Sequence, residues 1–433
     1  MDGRAAGPDR HRLAGRHRPA GPLGGPHVTL PHRTGALSGV VVLDLSRVLA
    51  GPYCAEILAD FGATVIKIEN PRDPDVTRGF PPYLRHGDEE LSGYFAQYNR
   101  GKLGITLDLA TEAGKQALID LAKRADIVIE NFRPGTMDKL GVGYDVLHEA
   151  NPRLVYTAIS GYGQTGRNRT KPAFDSTAQA AGGLWSMNGS PDGVPVRVGT
   201  VIGDLAATLF AVTGTLTALR HAERTGAGQL VDVAQVDSVV ALTENAVVNY
   251  TVDGVVATHT GNQHPWVRPY ELFPCADGYV FFGGYTDKFW RLSCELFGTP
   301  EHAADPEIDS MRKRFEKDVY ERRVRPIVLG WFAERTKDEL EALAGDTVPL
   351  TAVKDVGEVV DDPATAEREM VIAVDHEEFG PVRMFGQPVK LSETPADTTL
   401  RASRLGEHTQ LVLTALAGYD ADTVAALREA GAI

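Results

Sequence analysis

The chain has 433 residues, of which 43% are hydrophobic and 24% are charged, the composition of an ordinary soluble globular protein. This length exceeds the roughly 250–300 residues that one hydrophobic core usually organises, and it predicts two domains. The 44 basic and 58 acidic side chains give a net charge of −14, which argues against nucleic acid and against an anionic membrane surface as partners.

Cysteine usage and hydropathy predict the compartment. Cys54, Cys275 and Cys294 are scattered and share no metal-binding spacing, so we expect a reducing environment, no disulfide framework and no metal site. The longest apolar stretch without a charge, residues 205–219, is shorter than the ~20 residues that cross a bilayer. We therefore expect a cytoplasmic protein without a membrane span.

The first 36 residues differ from the rest of the chain. They contain six arginines and two aspartates among many glycines and prolines, with few large aliphatic side chains. Such a composition cannot bury a core, and it lacks the apolar segment of a signal peptide. We predict a disordered N-terminal extension over residues 1–36.

After residue 36, strand-like and helical patterns alternate. The strand patterns are at 40–45, 64–69, 105–109, 126–131, 154–159 and 229–234, and the helical patterns are at 55–61, 111–123, 144–150 and 205–220. This alternation predicts an α/β fold with a mostly parallel, doubly wound sheet. From about residue 260 the pattern is amphipathic and charged, which is typical of a smaller α+β domain, and strand-like segments return at 353–360 and 383–390.

One glycine-rich motif follows a predicted strand but is not followed by the helix that a dinucleotide-binding motif requires. Gly161–Gly166 matches the GxGxxG pattern of dinucleotide-binding proteins, in which the glycines open a helix. The next residues, Arg167–Pro172, have no helical period, so we do not expect NAD or FAD to bind there. The chain has no P-loop or GxSxG motif, and Cys54 lies in an apolar segment typical of a core cysteine.

Polar side chains collect near the predicted strand ends, where parallel sheets bind ligands. Arg72, Asn131 and Lys139 are examples. Cations at such an edge could bind a polyphosphate. Taken one at a time, however, each of these residues is typical of ordinary solvent-exposed surface.

Two aspartates have both a structural and a chemical interpretation. Asp204 follows Gly203 and precedes an apolar helix. It is either an N-cap or a nucleophile that the helix dipole keeps ionised, with Gly203 leaving room for a reactant. Asp175 is either a cap or loop contact or a second carboxylate of the same site. The residues alone leave these alternatives open.

Several segments, taken together and in order, resemble the class III coenzyme A-transferases, the family of formyl-CoA and crotonobetainyl-CoA transferases. They are Leu43–Pro52, Gly62–Glu69, Asn99–Lys102 with Leu107–Asp108, Glu130–Gly135, Gly161–Gly166 and Gly203–Asp204. The resemblance implies a Rossmann-like large CoA-binding domain formed by residues 37–257 and 346–433, a small domain at 258–345, and an interlocked homodimer.

The resemblance also implies a set of site residues. Asp204 takes the position of the family's nucleophile, and Asp175 is expected to orient the site. Gly261, in the loop that replaces the glycine-rich lid of formyl-CoA transferase, is expected to offer a backbone N–H to an oxyanion. We expect CoA to contact Val48, Ala50, Leu107, Asn131, Phe132 and Lys139, with Arg72 as a further cation. The implied substrates are an acyl-CoA and a carboxylic acid, and no cofactor is permanently bound.

The expected reaction is covalent. Asp204 attacks the acyl-CoA carbonyl to form a mixed anhydride, and the released thiolate then forms an aspartyl-CoA thioester. An acceptor carboxylate reverses the sequence and leaves as the new CoA ester.

Departures from the family pattern leave two alternatives open. Leu49 and Asn70 replace a glutamine and an arginine of formyl-CoA transferase, so an oxalate-specific pocket is not expected. Related α-methylacyl-CoA racemases use a histidine where this chain has Phe174. Because racemisation needs two titratable groups, CoA transfer is favoured over a racemase, which α-proton exchange would reveal. A non-catalytic CoA-binding protein would bind CoA without forming an adduct.

Overall fold

The computed structural model describes residues 28–433. The strands are β1 Val41–Asp44, β2 Thr64–Glu69, β3 Tyr83–His86, β4 Glu89–Ser92, β5 Leu103–Thr106, β6 Ile127–Glu130, β7 Val155–Ser160, β8 Leu230–Ala234, β9 Glu271–Cys275, β10 Gly278–Phe282, β11 Leu350–Ala352, β12 Val371–His376 and β13 Gly380–Phe385.

The α-helices follow the same chain order. They are α1 Ala50–Asp60, α2 Gly93–Asn99, α3 Glu112–Ala122, α4 Thr136–Lys139, α5 Tyr144–Ala150, α6 Asp175–Ala181, α7 Leu184–Met187, α8 Ile202–Thr225, α9 Gln235–Ala241, α10 Ala246–Asp253, α11 Asp287–Leu296, α12 Met311–Phe315, α13 Lys317–Val319, α14 Arg325–Phe332, α15 Lys337–Ala344, α16 Val356–Asp361, α17 Pro363–Glu367, α18 Thr409–Val412 and α19 Ala421–Glu429.

Six strands form one parallel sheet in the order β5-β2-β1-β6-β7-β8, which confirms the predicted α/β fold. Numbered within this sheet alone, the order is 3-2-1-4-5-6, that of doubly wound nucleotide-binding domains. The direction of winding reverses between β1 and β6. Sheets of this kind bind ligands at that switch point, beyond the carboxyl ends of the strands.

Side chains along each strand alternate between the two faces of the sheet. Because the buried strands are apolar on both faces, helices cover both of them. Leu43 and Val128 belong to one apolar cluster, whereas their neighbours Val42 and Ile127 belong to the other. The first face packs against α3, α5 and the C-terminal α18 and α19, and the second packs against α1 and α8. The C-terminal helices therefore pack against the same sheet as helices from the first half of the chain.

The two helices of the second face are longer than predicted. Helix α1 begins at Ala50 and includes Pro52 in its first turn, where a proline costs no backbone hydrogen bond. Helix α8 has 24 residues and is long and apolar enough, by length and composition, to cross a membrane. Its buried side includes Ala207, Ala211 and Ala218, which pack in the core beside the sheet.

A second, antiparallel sheet has the order β11-β10-β9. It packs through Phe273 and Phe282 against α11, α14 and α15, around an aromatic cluster in which Phe297 stacks on Trp331 with ring centroids 4.9 Å apart. Because β11 pairs with β10, this sheet extends beyond residue 345, where the small domain was predicted to end.

The structure differs from two further predictions. Residues 353–360 are not a strand, since most of them lie in α16, where Asp355 and Glu358 form a capping box. Of the predicted extension 1–36, residues 1–27 lie outside the described residues. Contacts with the large domain begin before residue 37, because Leu30 packs against the sheet cluster and Arg33 donates to the Ala59 carbonyl oxygen at 2.8 Å.

Candidate active site

Asp204 lies in the first turn of α8, at the carboxyl edge of the parallel sheet. The helix begins at Ile202 with Val201 as its N-cap, so the N-cap interpretation of Asp204 is wrong. Gln235, the residue that follows β8, donates through Nε2 to Oδ1 of Asp204. The carboxylate lines a cavity of about 480 Å³ that is large enough to hold part of a ligand.

The charge of Asp204 is poorly stabilised. Burial, followed by the negative charge of Asp175, raises the pKa of Asp204 to about 7, and the hydrogen bond from Gln235 opposes this rise only in part. Burial therefore offsets the expected effect of the helix dipole. A carboxyl group with a pKa near neutrality inside a cleft is typical of a functional site.

Asp175 forms a hydrogen bond with the first turn of α8. It is the first residue of α6, its Oδ1 accepts the Gly203 N–H at 2.8 Å, and its Oδ2 accepts from Gln179 Nε2 at 2.8 Å. A Cβ atom on Gly203 would lie 3.1 Å from Oδ1 of Asp175. The space at Gly203 is thus occupied by Asp175, which corrects the expectation that it admits a reactant.

Four predicted CoA contacts converge on the same cavity as Asp204. Val48 and Ala50 follow β1, Asn131 and Phe132 follow β6, and all four line the cavity at the switch point of the sheet. The Ala50 carbonyl oxygen accepts from the hydroxyl of a residue in α8, Thr208, at 3.0 Å. This bond connects the start of α1 to the helix that carries Asp204.

The loop between β1 and α1, residues 46–49, has an unusual backbone. Val48 has a φ of 71°, a left-handed conformation that β-branched residues rarely adopt. Its N–H donates to both carboxylate oxygens of Asp75, at 3.2 Å each. Asn131 accepts the Arg47 N–H at 2.8 Å and donates to the Arg47 carbonyl oxygen at 2.7 Å, so its amide holds the loop instead of pointing freely at a ligand.

A second cavity of about 200 Å³ lies at the carboxyl ends of β2 and β5. Leu107 lines it, and Phe132 lines both cavities. Arg72, whose side chain is 70% exposed, forms an ion pair with Asp108, which lines this second cavity. Lys139 is exposed at the end of α4 and lines neither cavity.

Gly261 is not brought to Asp204 in the described chain. Its φ is 67°, its N–H donates to the Gly189 carbonyl oxygen at 2.9 Å, and a Cβ on it would lie 3.2 Å from Cδ of Pro191. It does not line the cavity of Asp204. Since its N–H is already used, the expectation that it serves as an oxyanion donor does not fit this geometry.

Sequence reasoning missed several residues of the cavity. Gln235 could have been identified from the sequence as a site residue, because it directly follows a predicted parallel strand at the edge of the sheet that binds ligands. Arg169 and Lys171 lie on the loop between β7 and α6 and line the cavity, and within residues 28–433 neither side chain forms an ion pair or hydrogen bond. Lys171 lies 6.0 Å from the ring centroid of Tyr162.

Phe174 lines the cavity where the racemases have histidine, and it is 78% exposed. A phenyl ring cannot accept or return a proton, so the position offers no second acid or base. Cys54 is fully buried, and burial raises the pKa of its thiol to about 12, which fits a core cysteine. Among residues 28–433, no three His, Cys, Asp or Glu side chains are grouped to hold a metal ion.

Comparison with known proteins agrees with this geometry. The family model described as CoA-transferase family III matches residues 37–409. The chain is 41% identical over 381 residues to a succinyl-CoA:mesaconate CoA-transferase of Haloarcula hispanica, a match that covers 86% of this chain and 94% of the relative. It is 35% identical to a succinate–glutarate CoA-transferase of Agrobacterium fabrum, with 89% of this chain and 97% of the relative covered.

A solved structure shares the fold. The crystal structure of a CAIB/BAIF family protein from Brucella suis superimposes with a TM-score of 0.78 at 33% sequence identity, covering 88% of this chain and 100% of that protein. The sequence match, the shared fold and the carboxylate-bearing cavity all agree. The chain belongs to CoA-transferase family III and is an enzyme that transfers coenzyme A between an acyl-CoA and a carboxylic acid.

Proposed function

We propose that Asp204 is the nucleophile of this transfer and that it carries the acyl group and then coenzyme A in turn. The observation that supports this assignment is its position. Asp204 is a carboxylate in the cavity at the switch point of the sheet, and Gln235 orients it without neutralising it.

In the first half-reaction, an Asp204 carboxylate oxygen bonds to the carbonyl carbon of the donor thioester. The carbon–sulfur bond breaks, and coenzyme A leaves as the thiolate, so a mixed anhydride remains on Asp204. The thiolate then attacks the aspartyl carbonyl carbon and displaces the donor acid as a carboxylate. The product is an aspartyl-CoA thioester, and no external proton or oxidant is needed.

The second half-reaction runs the same steps with the acceptor. The acceptor carboxylate attacks the aspartyl thioester and releases the thiolate, which then attacks the acceptor carbonyl and frees Asp204. Gln235 Nε2 is placed to donate to the oxygen on which negative charge develops at Asp204. Asp175 acts as a positioning residue, because it holds the Gly203 N–H beside the nucleophile.

The two cavities suggest how CoA lies along the sheet edge. We infer that the thiol end enters the cavity with Asp204 and that the nucleotide end occupies the cavity lined by Leu107, with Phe132 between them. Asp108 already holds Arg72 at this second site. A nucleotide phosphate would have to share that cation or displace the carboxylate from it.

The test of the function is a direct transfer assay. With succinyl-CoA as the donor and a panel of carboxylic acids, we expect a new acyl-CoA ester to appear in proportion to the free succinate. Free CoA produced without a new ester would instead indicate a hydrolase.

The transfer rate should depend on pH through Asp204. Because only the ionised carboxylate attacks, and its pKa is about 7, kcat/KM should rise about tenfold per pH unit below pH 6 and level off above pH 8. Asp175→Asn should shift the midpoint to lower pH, because the charge of Asp175 contributes to the raised pKa.

The matched control for this pH profile is Asp237→Asn. Asp237 is an exposed carboxylate two residues after Gln235, and its replacement should leave the midpoint unchanged. A profile that is flat between pH 5 and pH 9 would contradict the role of Asp204 ionisation.

We also propose that the acid substrate is a dicarboxylate. The relatives act, by name, on mesaconate and glutarate with succinyl-CoA or succinate. Three cations line the cavity without an acidic partner among residues 28–433, and two of them, Arg169 and Lys171, lie on one loop while the third is Arg133. An Arg or Lys side chain facing the cavity can bind the second carboxylate while the first one reacts at Asp204.

The double variant Arg169→Gln/Lys171→Gln tests this assignment. Its kcat/KM for a dicarboxylate acceptor should fall roughly 10–100-fold, the effect of losing charge-assisted hydrogen bonds, while that for a monocarboxylate of equal length should change little. Lys115→Gln/Lys123→Gln, which removes two cations from surface ion pairs at α3, is the charge-matched control. An equal loss for both kinds of acid would contradict the assignment.

A homodimer is the proposed assembly. No residue of α10 is buried, and Val248, Tyr250 and Val252 are each more than half exposed. Leu209 and Phe210 of α8 are exposed as well. Apolar surface of this extent is typical of a subunit interface, and we propose that a second copy of the chain covers it.

A further inference from the structure

Lys67 is a charged residue within a buried central strand. It lies in β2, whose other central residues are apolar, and its side chain is 1% exposed. Its Nζ donates to the Ser46 carbonyl oxygen at 2.6 Å and to Asp75 Oδ2 at 2.9 Å. Lys67 thus bonds directly to the start of the loop 46–49 and to the carboxylate that accepts from Val48.

Asp75 completes the connection to the loop. Its carboxylate accepts the Val48 N–H as well as the N–H and hydroxyl of Thr77. Although burial raises its pKa, Lys67 and the hydrogen bonds from Thr77 outweigh that effect and lower the pKa of Asp75 to about 2. The acceptor for Val48 is therefore permanently charged at neutral pH.

The loop needs such support. Val48 is β-branched and has a φ of 71°, a conformation that persists only when the surroundings impose it. Asn131 holds the neighbouring residue, Arg47, from the other side of the switch point. Val48 itself is 37% exposed and lines the cavity of Asp204, so the strained residue faces the space where substrate binds.

Stability alone does not account for this ion pair. Replacing a buried ion pair by apolar side chains of similar size is often neutral or stabilising, because the charges no longer have to be desolvated. Here Lys67 donates to the backbone of one loop at Ser46, and Asp75 accepts from the same loop at Val48, in addition to the bonds that Asp75 accepts from Thr77. Both residues lie in the segment that separates β1 from the cavity-lining start of α1.

We propose that the buried Lys67–Asp75 pair is a positioning device that holds Val48 in its left-handed conformation and so presents residues 46–49 to the acyl-CoA. The inference rests on the proposed function in that it takes the cavity of Asp204 as the CoA site. Lys67 does not touch the substrate and acts through the loop.

The test removes both charges together, so that neither is left buried and unpaired. Lys67→Met/Asp75→Asn should weaken CoA binding, measured by titration calorimetry, at least about tenfold and should raise KM for acyl-CoA more than it lowers kcat. Adding Val48→Gly should restore most of the affinity, because glycine adopts a positive φ without the steric cost. A purely structural role for the pair would not produce this rescue.

The control is Arg85→Gln, which breaks an exposed ion pair with Glu90 and should leave CoA affinity unchanged. If the double variant does not fold, Lys67→Gln/Asp75→Asn also removes both charges but keeps polar side chains, and Val48→Gly should again recover the lost affinity. Unchanged affinity in the folded variant, or a loss that glycine does not recover, would overturn the proposal. Wild-type protein that binds CoA but transfers none would refute the proposed function and leave this test intact.

Discussion

Replacing Asp204 by asparagine is expected to reduce CoA transfer at least about 10³-fold, because an amide oxygen cannot form the mixed anhydride. The side chains are nearly equal in size, so the cavity should keep its shape. CoA affinity should stay within a few-fold of the wild type, since the residues proposed to bind CoA in this cavity lie after β1 and β6, whereas Asp204 lies in α8. The measurements are steady-state transfer and CoA titration.

Asp237→Asn, the same chemical change on the exposed side of α9, provides the control and should retain full activity. Residual transfer by Asp204→Asn within tenfold of the wild type would rule out the covalent role. The racemase alternative is examined with the wild-type enzyme. It predicts solvent deuterium at the α-carbon of a chiral acyl-CoA, whereas we expect none because Phe174 stands in the position of the second base.

Arg100→Ala should produce the largest loss of stability. The Arg100 side chain is 1% exposed and forms ion pairs with Glu56 at 2.6 Å and Asp60 at 2.7 Å. It also donates to the Phe385 carbonyl oxygen at 3.3 Å and so connects α1 to β13. Removing it leaves two carboxylates buried without their cation, which typically costs about 3–5 kcal/mol.

The loss from Arg100→Ala should depend on pH. Burial already raises the pKa of Glu56 well above its usual value, despite Arg100. Without the cation, the folded state favours protonated carboxyls, whereas the unfolded chain releases their protons above pH 4 to 5. The variant should therefore unfold at a urea concentration only slightly below that of the wild type at pH 5, and this difference should grow towards pH 8.

Lys115→Ala, which removes an exposed ion pair with Glu112, is the control for this experiment and should cost less than about 0.5 kcal/mol. If Arg100→Ala unfolds at the same urea concentration as the wild type at pH 8, the ion pairs of Arg100 do not stabilise the contact between α1 and β13.

The sheet could be predicted from the sequence because its signals are local. Strands such as Thr64–Glu69 and Leu230–Ala234 are short apolar runs, and their alternation with helices specifies parallel pairing. Boundaries were less accurate where one residue has two roles. The helix predicted at 55–61 begins earlier, at Ala50, because its first turn tolerates Pro52. The segment predicted as strand-like at 353–360 contains several valines but is mostly helical, and the capping box of Asp355 and Glu358 marks the start of that helix.

The site could be predicted in part. The residues after β1 and β6 converge with Asp204, as the switch point of the sheet requires. Arg169 and Lys171 could not be assigned, because their place in the lining of the cavity depends on how the loop between β7 and α6 folds over the sheet edge. Lys67 carried a usable signal, since a lysine inside a buried parallel strand needs a partner.

If Asp204 is the nucleophile, it becomes covalently attached to coenzyme A during transfer. Intact-mass spectrometry after incubation with succinyl-CoA tests it most directly. We predict an increase equal to coenzyme A less one water, lost on treatment with hydroxylamine and located by peptide mapping to the segment that contains Asp204. An adduct on Cys275 or elsewhere, or active enzyme that shows no adduct in the absence of acceptor, would contradict it.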